Sequence, residues 1–109
     1  YRACQKNGLP ITLIVGHLHE AVINSIAHAT GAMPEYSIQH EQRGTGHAVL
    51  VALPEVSAQT ILVLNGDMPL ITAEHVAHII AEHRAKNRAI TFAVAHNSDP
   101  TLPGYGRIV

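Results

Sequence analysis

The sequence is short of most features that would commit it to a specialised role. Its single cysteine, Cys4, rules out a disulfide within the chain and a multi-cysteine metal site, and fits a reducing compartment. The expected location is the cytoplasm. Three tyrosines, one phenylalanine and no tryptophan offer no stacking platform for bases, and a formal net charge of −1 offers no basic footprint. Nucleic acid is therefore not an expected partner. The longest uncharged apolar runs, "ITLIVG" and "TILVLNG", are far too short to span a bilayer, and the opening "YRACQKNG" lacks the apolar region of a signal peptide. No membrane partner is expected either. Gly-x-Ser-x-Gly and His-Glu-x-x-His are both absent, which removes the nucleophile elbow and the helical zinc-protease motif.

What remains is the composition of an ordinary globular domain: 109 residues, 47% hydrophobic and 14% charged, enough for one compact core. "YRACQKNG" reads as the tail of a helix, with Lys6 in its last turn, Gly8 as its stop and Pro10 barring continuation. A chain that starts on Tyr1 and at once on the end of a helix is expected to be a piece of something longer. Ile11 to Gly16 is a short β-branched run, the pattern of a strand buried on both faces. "HLHEAVINSIAHATG" then carries Ala21, Val22, Ile26 and Ala29 at roughly helical spacing before Gly31.

The alternation continues. Glu35 to Gln39 reads as a strand, "GTGHAVLVALPEV" as a loop and helix, Thr60 to Gly66 as a wholly apolar strand, Thr72 to Asn87 as a long helix and Ala89 to Ala95 as another strand. The tail is turn-rich from Asn97 to Gly106, then apolar at Ile108, as in a strand cut short. Strands alternating with helices imply βαβ crossovers, so the expected class is α/β, a doubly wound and mostly parallel sheet with helices on both faces. No interdomain linker or internal repeat interrupts it. In such sheets ligands bind outside the carboxyl ends of the strands, which directs attention to the loops after Val15, Gln39, Asn65 and Ala95.

Two of those loops carry candidate chemistry. In "NGDMPLIT", Asp67 follows the most apolar run in the chain, where a single carboxylate suits Mg²⁺ completed by water and substrate phosphates. A turn residue after Gly66 would look the same. Pro69 stiffens this loop, and Thr72 can cap the next helix with Glu74 in its first turn. In "HEQRGTGHAVL", Thr45 can be the N-cap of a helix whose free N–H groups would meet a phosphate or a carbonyl on a base. The dinucleotide fingerprint fails, since Val49 stands where its third glycine would fall, and no Gly-Lys-Ser/Thr completes a Walker A loop. Taken alone, Gly-Thr-Gly also fits a plain strand-to-helix turn.

Taken together, "QHEQRGTGHA", "LVLNGDMPLI" and "DPTLPGYGRIV" resemble, in order and spacing, the sugar-1-phosphate nucleotidyltransferases, and within them the N-acetylglucosamine-1-phosphate uridylyltransferases. The resemblance implies a segment of a domain that transfers UMP from UTP to N-acetylglucosamine 1-phosphate, giving UDP-N-acetylglucosamine and pyrophosphate for cell-wall precursors. By position it gives Gln39, Gly44 and Thr45 to the uracil, Asn65, Gly66 and Asp67 to the nucleotide, Asp67 also to Mg²⁺, and Gly106 to the sugar. Gln39 offers both a donor and an acceptor to a base edge, and Gly106 permits close backbone approach. Asn65, where such relatives often carry tyrosine, and the inserted Leu102-Pro103 depart from the pattern. So does the lack of a preceding strand and Gly-rich triphosphate loop and of later acidic residues. These departures imply that residues 1–109 are an internal segment of one such domain, inactive alone, with any homo-oligomer contact made elsewhere in the polypeptide. The alternatives are a non-catalytic unit that only folds or associates, and a nucleotidyltransferase with another nucleotide or acceptor, as in the isoprenoid-precursor or molybdopterin branches.

Nine histidines also invite a metal reading. His75, His78 and His83 share one expected helix with Glu74 and Glu82, but three ligands on one helix do not readily complete a tetrahedral site, so solvated helix histidines are expected. His17 and His19 are read as loop or cap residues, and His47 as capping or lining its helix rather than acting as a base. Cys4 has no paired histidine nearby in sequence and is not expected to be a nucleophile. The run "RAKNR" is a basic helix end suited to the dipole.

Overall fold

A computed structural model describes residues 1–94. In chain order it contains helix α1 (Arg2–Gln5), strand β1 (Thr12–Val15), helix α2 (His19–Thr30), strand β2 (Glu35–Ile38), helix α3 (Thr45–Ala52) running into a 3₁₀ turn (Leu53–Glu55), and helix α4 (Ala73–Ala85). β1 and β2 pair in parallel, Thr12 opposite Glu35 through Val15 opposite Ile38, with α2 as the crossover that a parallel pair requires. α3 lies against both strands, and α1 lies against α4. This is an incomplete Rossmann-like α/β fold.

Local chemistry accounts for the element ends. α2 stops where Gly31 takes a left-handed φ of 75° and donates its N–H to Ala27 O at 2.8 Å, the conformation glycine adopts without a Cβ clash. Pro54 in the 3₁₀ turn cannot supply the N–H that α3 would need to continue. α4 starts on Thr72, whose hydroxyl accepts from His75 N while His75 Nδ1 accepts from Thr72 N, each at 3.3 Å. Here a histidine takes the part that Glu or Gln usually plays in a capping box. Next to it, hydrogen bonds from its own backbone N–H and from Thr72 hold the Glu74 carboxyl below the usual carboxylate range. Its folded pKa is depressed, so this contribution to helix start is present above the ordinary carboxylate pKa and lost as pH falls.

Asn7 clips α1 to α4: its Nδ2 donates to Ala3 O at 2.8 Å and to Ala73 O at 2.9 Å. After α4 the chain folds back as His83 Nδ1 meets Thr91 Oγ1 at 2.9 Å. Among the described residues the buried apolar positions are Val15, Ile23, Ala52 and Val76, one from each of β1, α2, α3 and α4. Buried Ser37 on β2 donates to Glu55 Oε2 at 3.0 Å, which ties the strand to the 3₁₀ turn and leaves the hydroxyl satisfied.

Several expectations are corrected. Thr60 to Gly66 forms no strand; no ladder partner flanks it among the described residues, and Ile61, Val63 and Leu64 are exposed. Ala89 to Val94 likewise forms no strand, with Ile90, Phe92 and Val94 exposed, and Ala95 lies outside the described residues. β propensity needs a neighbouring strand to become a ladder, and among the described residues only β1 and β2 have one. β1 is not covered on both faces, since Ile14 is 36% exposed where Val15 is 7%. The inward stripe of α2 is Ile23, Ile26 and Ala27, whereas Ala21, Val22 and Ala29 face solvent, a rotation of the expected face. Thr45 is the first residue of α3 rather than its N-cap; Gly44 holds that place and no side chain caps the helix. The turn-rich tail, Gly106 and Ile108 lie outside the described residues.

Candidate nucleotide site

The parallel ladder delivers Gln39 to the carboxyl end of the sheet. The Gln39 N–H continues the register beyond β2 by donating to Val15 O at 2.7 Å, which sets the residue at the carboxyl end of the pair, its backbone carbonyl 3.8 Å from where a Cβ on Gly16 would lie just after β1. A Cβ on Gly16 would lie 3.0 Å from Gln42 Nε2, so the bare backbone there leaves room for the glutamine. From Gln39 the chain turns through an exposed loop in which Arg43 is ion-paired with Glu41. It reaches Gly44 in a left-handed φ of 95°, a conformation that disfavours any side chain.

The Gly44 carbonyl is a shared acceptor. Ala48 N donates to it at 3.2 Å, closing the first turn of α3, and Gln39 Nε2 donates to it at 3.1 Å. The same Nε2 lies 2.9 Å from Nδ1 of half-buried His47. Both of these side-chain hydrogen bonds of Gln39 thus run through its nitrogen, and no hydrogen bond among the described residues engages Oε1. Nearby, α3 begins without a side-chain cap, so its first N–H groups are also available. The loop's one arginine is neutralised by Glu41, so polar recognition rather than excess positive charge characterises the spot.

Asn65, Gly66 and Asp67 all lie on the surface, the last two in a turn. No hydrogen bond or ion pair among the described residues engages the Asp67 carboxylate, and none joins it to Gln39 or Gly44. The hollow beside it is lined by Met68, Pro69, Leu70, Ile71 and His75 and is apolar. A single exposed carboxylate fits Mg²⁺ held largely by water and phosphate oxygens, the usual way that ion is bound, and does not fit a fully protein-built cage.

The structure therefore brings Gln39, Gly44 and Thr45 together, and keeps the Asn65-Gly66-Asp67 turn as a separate open feature. Three neighbours were not singled out for the site from sequence: Gly16, Gln42 and the His47 contact with Gln39. Two glutamines flanking a His-Glu pair just ahead of a Gly-Thr-Gly was the available signal for Gln42. Of the helix histidines, His75 is used in capping and His83 on Thr91, while His78 is exposed. Among the described residues no group of three or more His, Cys, Asp or Glu is placed to hold a metal. Nor is any helix among them long and apolar enough to cross a membrane.

Comparison with known proteins extends the site to a family. Residues 3–107 match the MobA-like NTP transferase domain. The chain is 42% identical over 107 residues to the bifunctional protein GlmU of Enterococcus faecalis, covering 96% of this chain and 22% of that protein. It is 37% identical over 114 residues to the bifunctional protein GlmU of Corynebacterium efficiens, covering 100% of this chain and 23% of the relative. A Synechococcus bifunctional protein GlmU is 42% identical over 98 residues, with coverage of 88% and 21%. The chain thus spans between a fifth and a quarter of the length of these relatives.

Proposed function

Because the chain belongs to the MobA-like NTP transferase domain family, we propose that it is the base-binding and metal-binding segment of a sugar-1-phosphate uridylyltransferase. The reaction belongs to the longer polypeptide, in which UMP passes from UTP to N-acetylglucosamine 1-phosphate. A phosphate oxygen of the sugar phosphate attacks the α-phosphorus of UTP and forms the new P–O bond. The bond between the α-phosphorus and the bridging oxygen breaks, and pyrophosphate leaves with that electron pair. Such a displacement needs positioning and neutralisation of charge more than a covalent nucleophile.

The observation that carries this reading is the Gln39–Gly44 arrangement. Oε1 of Gln39 can accept from the ring N–H of uracil, and the uncapped N–H groups at Thr45 can donate to a neighbouring uracil carbonyl. Asn65 and Gly66 face the nucleotide, with Gly66 leaving its backbone open to close approach. Asp67 would hold Mg²⁺ through its carboxylate, and the ion when bound would supply charge neutralisation at the phosphates. Gly106 serves the sugar by its place in the resemblance. UTP and N-acetylglucosamine 1-phosphate are thus the small-molecule partners, Mg²⁺ the cofactor and the cytoplasm the location.

The test is acceptor choice in the complete enzyme. With UTP and Mg²⁺ supplied, N-acetylglucosamine 1-phosphate is expected to support pyrophosphate release at least about tenfold better than the phosphorylated isoprenoid-precursor or molybdopterin acceptors, the spread that one well-matched pocket provides. A faster reaction with either of the latter would assign the segment to a different branch.

A further inference from the structure

The side-chain amide of Gln39 has one orientation, and chemistry identifies which. A backbone carbonyl only accepts, so the terminal atom of Gln39 lying 3.1 Å from Gly44 O is its NH₂ nitrogen. That nitrogen also lies 2.9 Å from His47 Nδ1. Its second hydrogen points to the ring, so Nδ1 accepts and the neutral imidazole carries its proton on Nε2. With both hydrogens engaged, Oε1 faces a ligand as an acceptor. Turning the amide over would set Oε1 against Gly44 O, acceptor to acceptor, losing that bond, and the His47 ring would keep its own only by moving its proton from Nε2 to Nδ1.

Resting on the uridylyl reading above, we infer that His47 is a positioning residue for base selectivity, fixing the Gln39 amide so that an incoming base meets oxygen rather than NH₂. A base that presents a ring N–H at that point, as uracil does at N3, is accepted. One that presents a bare ring nitrogen, as cytosine does at N3, meets a second acceptor and is rejected. His47 does this from the first turn of α3 without itself touching the base. The selectivity is built from a helix residue eight positions beyond the glutamine it orients.

The experiment measures kcat/KM of the complete enzyme for UTP and for CTP. In His47→Phe, which removes the acceptor while filling the space, the UTP-to-CTP ratio is expected to fall about five- to tenfold, the effect of one net hydrogen bond on the orientation of the amide. His47→Ala removes the same acceptor at a half-buried position without adding volume and carries the same expectation. His47→Asn places an oxygen where Nδ1 stood and is expected to restore the ratio to within about twofold of the parent. On a Gln39→Ala background, His47→Phe is expected to leave the ratio unchanged, because the residue acts through the glutamine. The inference is overturned if the parent prefers UTP and the ratio survives loss of the ring, if Asn fails to restore it, or if it falls equally without Gln39. A parent with no preference for UTP would instead overturn the uridylyl reading itself.

Discussion

Asp67→Ala is expected to lower UTP-dependent pyrophosphate release by the complete enzyme at least about a hundredfold, the scale of losing one preorganised stabiliser of developing charge. The carboxylate lies on the surface in the turn after Gly66, with no hydrogen-bond or ion-pair partner among the described residues. Its removal therefore breaks no structural contact there, and the free energy of unfolding should change by no more than about 0.5 kcal/mol, as for an ordinary surface change. The Mg²⁺ concentration giving half-maximal rate should rise in parallel, because the remaining ligands are water and phosphate oxygens. Asp67→Asn separates charge from shape and should lose nearly as much. Turnover within about threefold of the parent would mean that Asp67 is only a turn residue, the alternative that its position after Gly66 always allowed.

The second large effect is on folding. Val76 is 1% exposed, the most deeply buried apolar side chain described, on the helix that packs against α1. Val76→Asp places a carboxylate at this buried position, at a cost of about 3–5 kcal/mol. A whole single domain has only about 5–15 kcal/mol of stability in total, and a segment of one has no more to lose. Urea unfolding of the 109-residue chain, followed by circular dichroism, should show the midpoint collapse or the transition vanish. Val63→Asp is the matched comparison. Val63 is 53% exposed, and its replacement should change the free energy of unfolding by less than about 0.5 kcal/mol. Equal damage at both positions would mean that the 60–66 segment is buried in solution and that the described packing is wrong there.

That pair of valines also shows where sequence reading works and where it stops. "ITLIVG" and "TILVLNG" carry the same local signal, yet only the first becomes a strand. The difference lies in the neighbour: Glu35–Ile38 supplies a ladder for Thr12–Val15, whereas nothing described lies beside Thr60 to Gly66. Propensity is a property of the segment, while a strand is a property of a pair. Helix boundaries were more legible because their causes are local. Gly31 stops α2 by its left-handed conformation, and Thr72 starts α4 by its hydroxyl. On α2 the spacing of Ala21, Val22, Ile26 and Ala29 places Ile26 on the inward face, where the structure has it, but Ala21, Val22 and Ala29 are exposed and Ile23 is the buried residue.

The site divides along the same line. Gln39, Gly44 and Thr45 lie close in the chain, so their grouping was readable from "QHEQRGTG", and a hydrogen bond from Gln39 to Gly44 O joins them. Thr45 was given the wrong local part, because a cap is decided by the backbone angles of Gly44 rather than by which residue has a hydroxyl. The His47 contact with Gln39 spans eight residues and depends on the first turn of α3, which no local motif specifies. Family membership follows from comparison across nearly the whole chain, and no single motif in it would have sufficed.

The loop "HEQRGTGHAVL" poses one choice above the others, whether it meets a base or a phosphate. A crystal structure of the complete enzyme with UTP and Mg²⁺ bound tests that choice directly. The expected result is uracil against the loop, its ring N–H within hydrogen-bond distance of Gln39 Oε1 and a carbonyl on the N–H groups at Thr45, with the triphosphate lying away from the start of α3. Phosphate oxygens seated on the Thr45, Gly46 and His47 N–H groups, with the base elsewhere, would contradict it.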